Sequence, residues 1–153
     1  NKNKMADLTV TVTESIILNN AKRGSTNTVT IPSIIDTFER VVTCPHSQTT
    51  TIATFSTNVY DGSGDIDAQG VKYCRVTNLS TTIDMEVAVV GASTLYQVLI
   101  PASQTHIICR ADDAMLAEAD TSPSFGTMQD IASIQVRPTT ASDTQVEIFV
   151  ASI

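Results

Sequence analysis

Alternation of apolar and polar residues in steps of two is the feature that most constrains the fold of this chain. Residues 8–13 read LTVTVT, which places Leu8, Val10 and Val12 on one face of an extended strand and the threonines on the other. The pattern recurs along the chain, whereas helical periodicity is confined to residues 112–119, where one or two helical turns are expected. The sequence therefore predicts an all-β protein.

Turn-forming residues separate the alternating segments at intervals of roughly 8–12 residues, a spacing typical of sandwiches, jelly rolls and barrels. We expect one domain over residues 1–153, folded as an antiparallel β-sandwich of jelly-roll type with about ten short strands. The strands are predicted at residues 8–13, 15–18, 27–31, 37–44, 49–57, 71–77, 83–90, 94–100, 104–109, 131–137 and 145–150.

The N-terminal part of the chain differs from the rest because residues 8–31 contain no aromatic side chain and offer little core of their own. Residues 1–7 are expected to form a flexible arm, and residues 8–31 are a candidate extension between subunits. A strand with an open edge can pair with a second chain. Leu8, Val10 and Val12 are the candidate interface residues.

Charged residues make up only 16 % of the chain, whereas hydrophobic residues make up 42 %. Threonine, serine, asparagine and glutamine fill the difference, and an uncharged surface of this kind can be buried against a neighbour without desolvating charge. The net charge of −7 argues against nucleic acid or an anionic membrane as a partner, because both need a basic surface. No run of about 20 apolar residues, the length that spans a bilayer, is present.

The sequence offers no pattern typical of catalysis, of a metal centre or of a cofactor site. His46 and His106 are the only histidines, and no G-x-S-x-G motif occurs. His106 and Cys109 are three residues apart, which in a strand places them on opposite faces, where they cannot share a zinc ion. We therefore expect a protein that is not an enzyme, with no catalytic residue and no cofactor.

Three cysteines, an odd number at wide spacing, each lie in a predicted strand. They are interpreted as small buried hydrophobic residues of a reduced protein. One disulfide with a free thiol, or one bridge between chains, is the alternative. The cysteines are Cys44, Cys74 and Cys109.

One loop has the alternating oxygen ligands with which a calcium-binding loop begins. The rest of that pattern fails, because Ile66 replaces the required glycine and Lys72 replaces the bidentate glutamate. A flexible hairpin loop is the favoured interpretation, and calcium is the alternative. The candidate ligands are Asp61, Ser63, Asp65 and Asp67.

Several segments together resemble small virion proteins of tailed bacteriophages. Residues 73–82, YCRVTNLSTT, combine an R-V-T-N strand end with a threonine-rich turn, and they lead through a strand at residues 85–90 to VLIPASQ at residues 98–104. The opening at residues 8–20 and the ending at residues 146–152 are also similar to such proteins. The resemblance spans most of the chain, although none of its residues is diagnostic by itself.

The resemblance implies a β-sandwich at the surface of a virion that is assembled in the host cytoplasm. The expected function is that of a capsid decoration or vertex protein, with partners that are further copies of the chain, a trimer being favoured, and a major capsid or other virion protein. The alternative is a tail- or fibre-associated adhesion module that binds a host-surface carbohydrate.

Overall fold

Thirteen β-strands and no helix form the regular structure of the described residues, which are 5–58, 62, 64–117, 122–123 and 125–153 of a computed structural model. The predicted all-β class is confirmed. The strands are β1 (Ala6–Thr13), β2 (Ile16–Leu18), β3 (Ala21–Arg23), β4 (Thr26–Ile34), β5 (Asp36–Cys44), β6 (Thr50–Ser56), β7 (Ile66–Asp67), β8 (Val71–Asn78), β9 (Met85–Gly91), β10 (Leu95–Ile100), β11 (Thr105–Ile108), β12 (Ile131–Pro138) and β13 (Thr144–Ser152).

Two antiparallel sheets form the body of the protein. One has the order β11-β8-β13-β5, and the other has the order β10-β9-β12-β6, extended by the short parallel strand β7. Most connections between consecutive strands cross from one sheet to the other. Among the described strands of the body, only β9 and β10 form a β-hairpin. The antiparallel β-sandwich expected from the sequence is confirmed. Strands β1 to β4 belong to neither sheet and form ladders only among themselves.

The core lies between the two sheets and consists of the inward-facing residues of the alternating strands. Met85, Val87 and Val89 of β9 are buried completely, as are Val146 and Ile148 of β13. Each aliphatic side chain removed from water in this way contributes roughly 1.5–3 kcal/mol. The alternating apolar residues of these strands therefore face the core, as the period-two pattern predicted.

Asn78, the asparagine of the R-V-T-N strand end, is the buried polar residue that holds one end of the sandwich together. Its side-chain amide donates hydrogen bonds to the backbone oxygens of Ile83, at 2.8 Å, and Ile100, at 3.1 Å. Its side-chain oxygen accepts a hydrogen bond from the backbone N–H of Ser80 at 3.0 Å. One side chain therefore joins the end of β8, the turn after it and the end of β10.

The helical turns predicted for residues 112–119 are absent from the described part of that segment, so this prediction was wrong. Residues 118 and 119 lie outside the described residues. The backbone N–H and carbonyl of Met115 instead pair with those of Gln129 in an isolated antiparallel bridge. Met115 is buried in the main core, so tertiary packing overrides the local helix preference.

Candidate interaction surface

Residues 6–34 form one long β-hairpin, here called the arm, which begins at the body and extends away from it. Thr13 pairs with Thr26 in the inner part, and Ile16 pairs with Arg23 in the outer part, so both parts share one register. The backbone N–H of Glu14 donates to the carbonyl of Ser25 at 2.9 Å and continues the ladder between the two parts.

Asn19 and Asn20 close the arm in a two-residue turn. Their φ angles are 51° and 61°, the left-handed conformation that a type I′ hairpin turn requires at both central positions. Asparagine adopts this conformation more readily than most residues, which explains an Asn-Asn pair at this point. No strand was predicted between residues 18 and 27, and strand β3 was missed because its residues Ala21–Arg23 lack apolar alternation.

The two faces of the arm differ in chemistry. Six threonines occupy one face, and the Oγ1 atoms of Thr11 and Thr28 lie 3.1 Å apart in a cross-strand hydrogen bond. Leu8 opposite Ile31 and Val10 opposite Val29 occupy the other face. The threonines are Thr9, Thr11, Thr13, Thr26, Thr28 and Thr30.

The base of the arm packs against the outer face of the sheet that contains β8 and β13. Leu8, Val10 and Ile31 contact a small buried cluster that includes Tyr73 and Ala151. This second cluster is separate from the main core. It fixes the start of the arm to the body and leaves the remainder of the arm without a partner among the described residues.

The far end of the arm, here called the tip, consists of residues 16–23 and exposes three consecutive aliphatic side chains. Ile17 is 75 % exposed and Leu18 is 58 % exposed, and Ile16 beside them is also exposed. Lys22 and Arg23 lie opposite Ile17 and Ile16 in the ladder, so the tip is both apolar and basic. The run Ile-Ile-Leu directly before Asn-Asn is the feature of the sequence that could have indicated an apolar hairpin tip.

The structure places the three interface candidates in different surroundings. Leu8 and Val10 are half-buried against the body of their own chain, and Val12 is exposed on the outer arm. All three belong to β1, whose partner within the chain is β4. Pairing of this strand with a neighbouring subunit stays a prediction, since the outer edge of β1 has no partner among the described strands. Residues 1–7 were expected to be a flexible N-terminal segment, but Ala6 and Asp7 are part of β1. Residues 1–4 lie outside the described residues.

The two histidines take part in separate structural contacts. Nδ1 of His46 lies 2.8 Å from Oδ1 of Asp143, which also accepts the backbone N–H of His46 at 2.9 Å. These hydrogen bonds lower the pKa of Asp143. Nε2 of His106 lies 3.2 Å from the hydroxyl oxygen of Tyr96, and partial burial lowers the pKa of His106. The second contact joins strands β11 and β10 at the edges of opposite sheets.

The candidate calcium loop lies partly outside the described residues, which include neither Asp61 nor Ser63. Oδ1 of Asp67 accepts the backbone N–H of Gln69 at 3.1 Å, so this carboxylate stabilises a local turn. Within the described residues, no group of three or more His, Cys, Asp or Glu side chains is arranged to hold a metal ion.

The three cysteines are unpaired within the chain, and the alternative of a bridge between chains stays a prediction. Cys44 and Cys74 are buried, as expected of small hydrophobic residues, whereas Cys109 is exposed. Burial raises the pKa of Cys44 to about 11 and that of Cys74 to about 12. Cys109 directly follows β11, so the expectation that it is buried was wrong.

Comparisons with known proteins identify no relative of this chain. No family matches its sequence, and neither a curated protein nor a solved structure is significantly similar to it. Among the described residues, no helix has the length and apolar character needed to cross a bilayer.

Proposed function

We propose that this chain is a non-enzymatic structural protein of a bacteriophage particle. In this proposal it is a capsid decoration or vertex protein that associates with further copies of itself and binds the shell through uncharged β surface. The observation that carries the proposal is the arm, because a hairpin fixed only at its base, with an exposed aliphatic tip, has no evident use in an isolated chain.

The cost of exposing the arm supports an assembly role. Isolated two-stranded hairpins are marginally stable in water, and their unpaired edges favour pairing with other chains. A stable arm therefore needs a second surface to cover Val12, Val29 and the three aliphatic residues of the tip. Association with another chain would provide that surface and would leave the sandwich unchanged.

The strand order of the body also supports the proposal. We interpret the strand orders β5-β13-β8-β11 and β6-β12-β9-β10 as those of a jelly roll, a sandwich built from two Greek keys. Jelly rolls are common in viral capsid proteins, but they occur in lectins and cupins as well. The order is thus consistent with a virion protein and is not specific to one.

The outer face of the β10-β9-β12-β6 sheet suits contact with a large partner. Gln97 and Gln135 are uncharged residues of that face. Arg137 and Glu86 form an ion pair there, with 2.7 Å between the guanidinium nitrogen and the carboxylate oxygen. Burying such a face requires desolvation of one ion pair and of few other charges. We propose this face for contact with the shell and the arm for contact between copies.

Light scattering of the purified chain over a wide range of concentrations tests the proposal. A discrete multimer, most simply a trimer, is the expected result. A monomer that persists into the millimolar range would contradict self-association. If that monomer bound host-surface glycans, and lost binding with a chelator, the alternative function as a carbohydrate-binding adhesion module would replace the proposal.

A further inference from the structure

The tip of the arm and a groove at the base of the arm have complementary surfaces. The groove lies where the arm joins the body and has a volume of about 450 Å³. Ile35 and Ile153 line it and are both exposed, Ile35 by 53 %. A cavity of roughly 150 Å³ admits a benzene molecule, so this groove has room for more than one aliphatic side chain.

The charges of the groove also match those of the tip. Three carboxylates, of Asp36, Asp65 and Asp67, line the groove together with one guanidinium, that of Arg40. The guanidinium carbon of Arg40 lies 4.6 Å from the centre of the Phe38 ring, so this cation is stacked on its own strand. The groove is therefore acidic and is also lined by aliphatic side chains.

The tip carries the opposite charge. Lys22 and Arg23 stand beside the exposed Ile16, Ile17 and Leu18, whereas Glu14 is the nearest carboxylate along the chain. Residues 35–153 contain 14 acidic and 5 basic residues, which gives this part of the sequence a net charge of −9. A basic tip is therefore attracted to the body in general. The acidic, apolar groove is the part of the body that matches both properties of the tip.

The tip cannot occupy the groove of its own chain. Ile35, at the groove, directly follows the last residue of the arm, and its backbone N–H donates to the carbonyl of Ser152 at 3.0 Å. Ala6 and Leu18 are twelve residue-to-residue steps apart, which at roughly 3.3 Å per step of extended chain is about 40 Å. The backbone hydrogen bond from Glu14 to Ser25 joins the inner and outer ladders in one register, so the arm is extended and its tip is held away from the groove of its own chain. A second copy can supply the tip.

We propose that the tip of one copy docks into the groove of the next copy. This inference rests on the self-association proposed above and specifies its geometry. The two surfaces in contact are different, so the interface is heterologous, and repetition of such a contact produces a closed ring if the rotation permits. A ring of three copies is the arrangement that matches the trimer favoured above.

Two substitutions, each of which introduces a like charge, test the docking. Leu18→Asp places a carboxylate on the tip that the acidic groove repels, and Ile35→Lys places a cation in the groove that the basic tip repels. Leu99 on β10 is the control position, since it is 55 % exposed and lies outside both surfaces. Light scattering should show that each of the first two variants shifts from multimer to monomer, while Leu99→Asp and Leu99→Lys retain the multimer.

Mixing the Leu18→Asp and Ile35→Lys variants provides the sharper test. The mixture contains one intact tip and one intact groove on different chains, and therefore should recover association in particles that contain both variants. Contact between two arms predicts no effect of Ile35→Lys and no recovery. Circular dichroism melting identifies any variant that fails to fold; Lys22→Glu with Arg23→Glu then replaces the tip variant, and Asp65→Lys replaces the groove variant.

The outcomes separate the two proposals. A wild-type monomer would overturn both self-association and the docking. A wild-type multimer that persists in either variant, that is lost in the Leu99 controls, or that fails to recover on mixing would overturn the docking and leave self-association standing.

Discussion

The ring of Tyr73 meets the ring of Phe149 edge to face, with 6.1 Å between their centres, on the outer face of the sandwich. These two residues lie on neighbouring strands of the sheet and form the surface on which the base of the arm rests. The pair therefore connects the stable body to the element that we propose for assembly.

Replacing Tyr73 with alanine should loosen the arm. The side chain is almost fully buried under Leu8 and Val10, and its loss should cost about 2–4 kcal/mol of packing at the base of the arm. Hydrogen exchange should accelerate at the amides of β1 and β4 more than at those of β9 and β12. Tyr73→Phe keeps the ring and is the control, expected to exchange like the wild type. Equal acceleration of exchange in the arm and in the core would contradict an attachment of the arm that is separate from the main core.

Replacing Asn78 with alanine should destabilise the whole sandwich. The substitution leaves the carbonyls of Ile83 and Ile100 without their side-chain donor, at a cost of roughly 2–4 kcal/mol in the free energy of unfolding. Urea unfolding followed by circular dichroism measures the loss. Asn27→Ala on the exposed arm is the matched control, and it should change stability by no more than about 0.5 kcal/mol. Similar losses in both variants would show that Asn78 does not join the strand ends.

A thiol reagent at neutral pH should label one cysteine of the folded chain rapidly and the other two only after unfolding. Cys109 is exposed, whereas burial raises the pKa of Cys44 to about 11 and of Cys74 to about 12, so neither buried thiol ionises appreciably. Cys109→Ser should abolish the rapid phase. A folded wild type without a rapid phase would indicate that Cys109 is bridged or covered.

The contact between His46 and Asp143 should contribute to stability in a pH-dependent way. Hydrogen bonds from the backbone N–H and ring of His46 lower the pKa of Asp143 below its ordinary value of 3.8. A carboxylate with a lowered pKa in the folded state stabilises the fold above its unfolded pKa, and this contribution is lost as the pH falls through the folded pKa. Asp143→Asn should therefore unfold at less urea than the wild type near neutral pH, and the difference should vanish well below pH 3.8. A difference that is constant with pH would contradict an ionic origin.

Much of the body could be predicted from the sequence because its strands alternate and turn residues interrupt them. Residues 71–77 and 145–150 were expected as strands and lie within β8 and β13, with alternate side chains in the core. Residues 112–117 could not be predicted in this way, because the helix formers there are held by a long-range bridge from Met115 to Gln129.

The candidate surface could be predicted only in part. Leu8, Val10 and Val12 were recognised by alternation, but alternation does not tell which of them the body covers, and Tyr73 and Ala151 cover two of them. The tip was missed because Ile16, Ile17 and Leu18 are consecutive, a pattern that resembles a buried strand and not an exposed one. The groove brings together residues near 36, 65 and 153, a proximity that only the fold reveals.

A variant with a shorter arm that keeps the packing of the base of the arm on the body tests most directly the central claim, that the chain assembles through the arm. Residues 13–26 can be replaced by Asn-Gly between Val12 and Asn27, which are opposite each other in the ladder, so the register is kept and a type I′ turn closes the shorter hairpin. Light scattering and thermal melting of this variant and of the full chain are the measurement. The proposal predicts that the full chain is multimeric and that the shortened chain is monomeric with nearly unchanged melting of the sandwich. A shortened chain that retains the full multimer would contradict assembly through the arm.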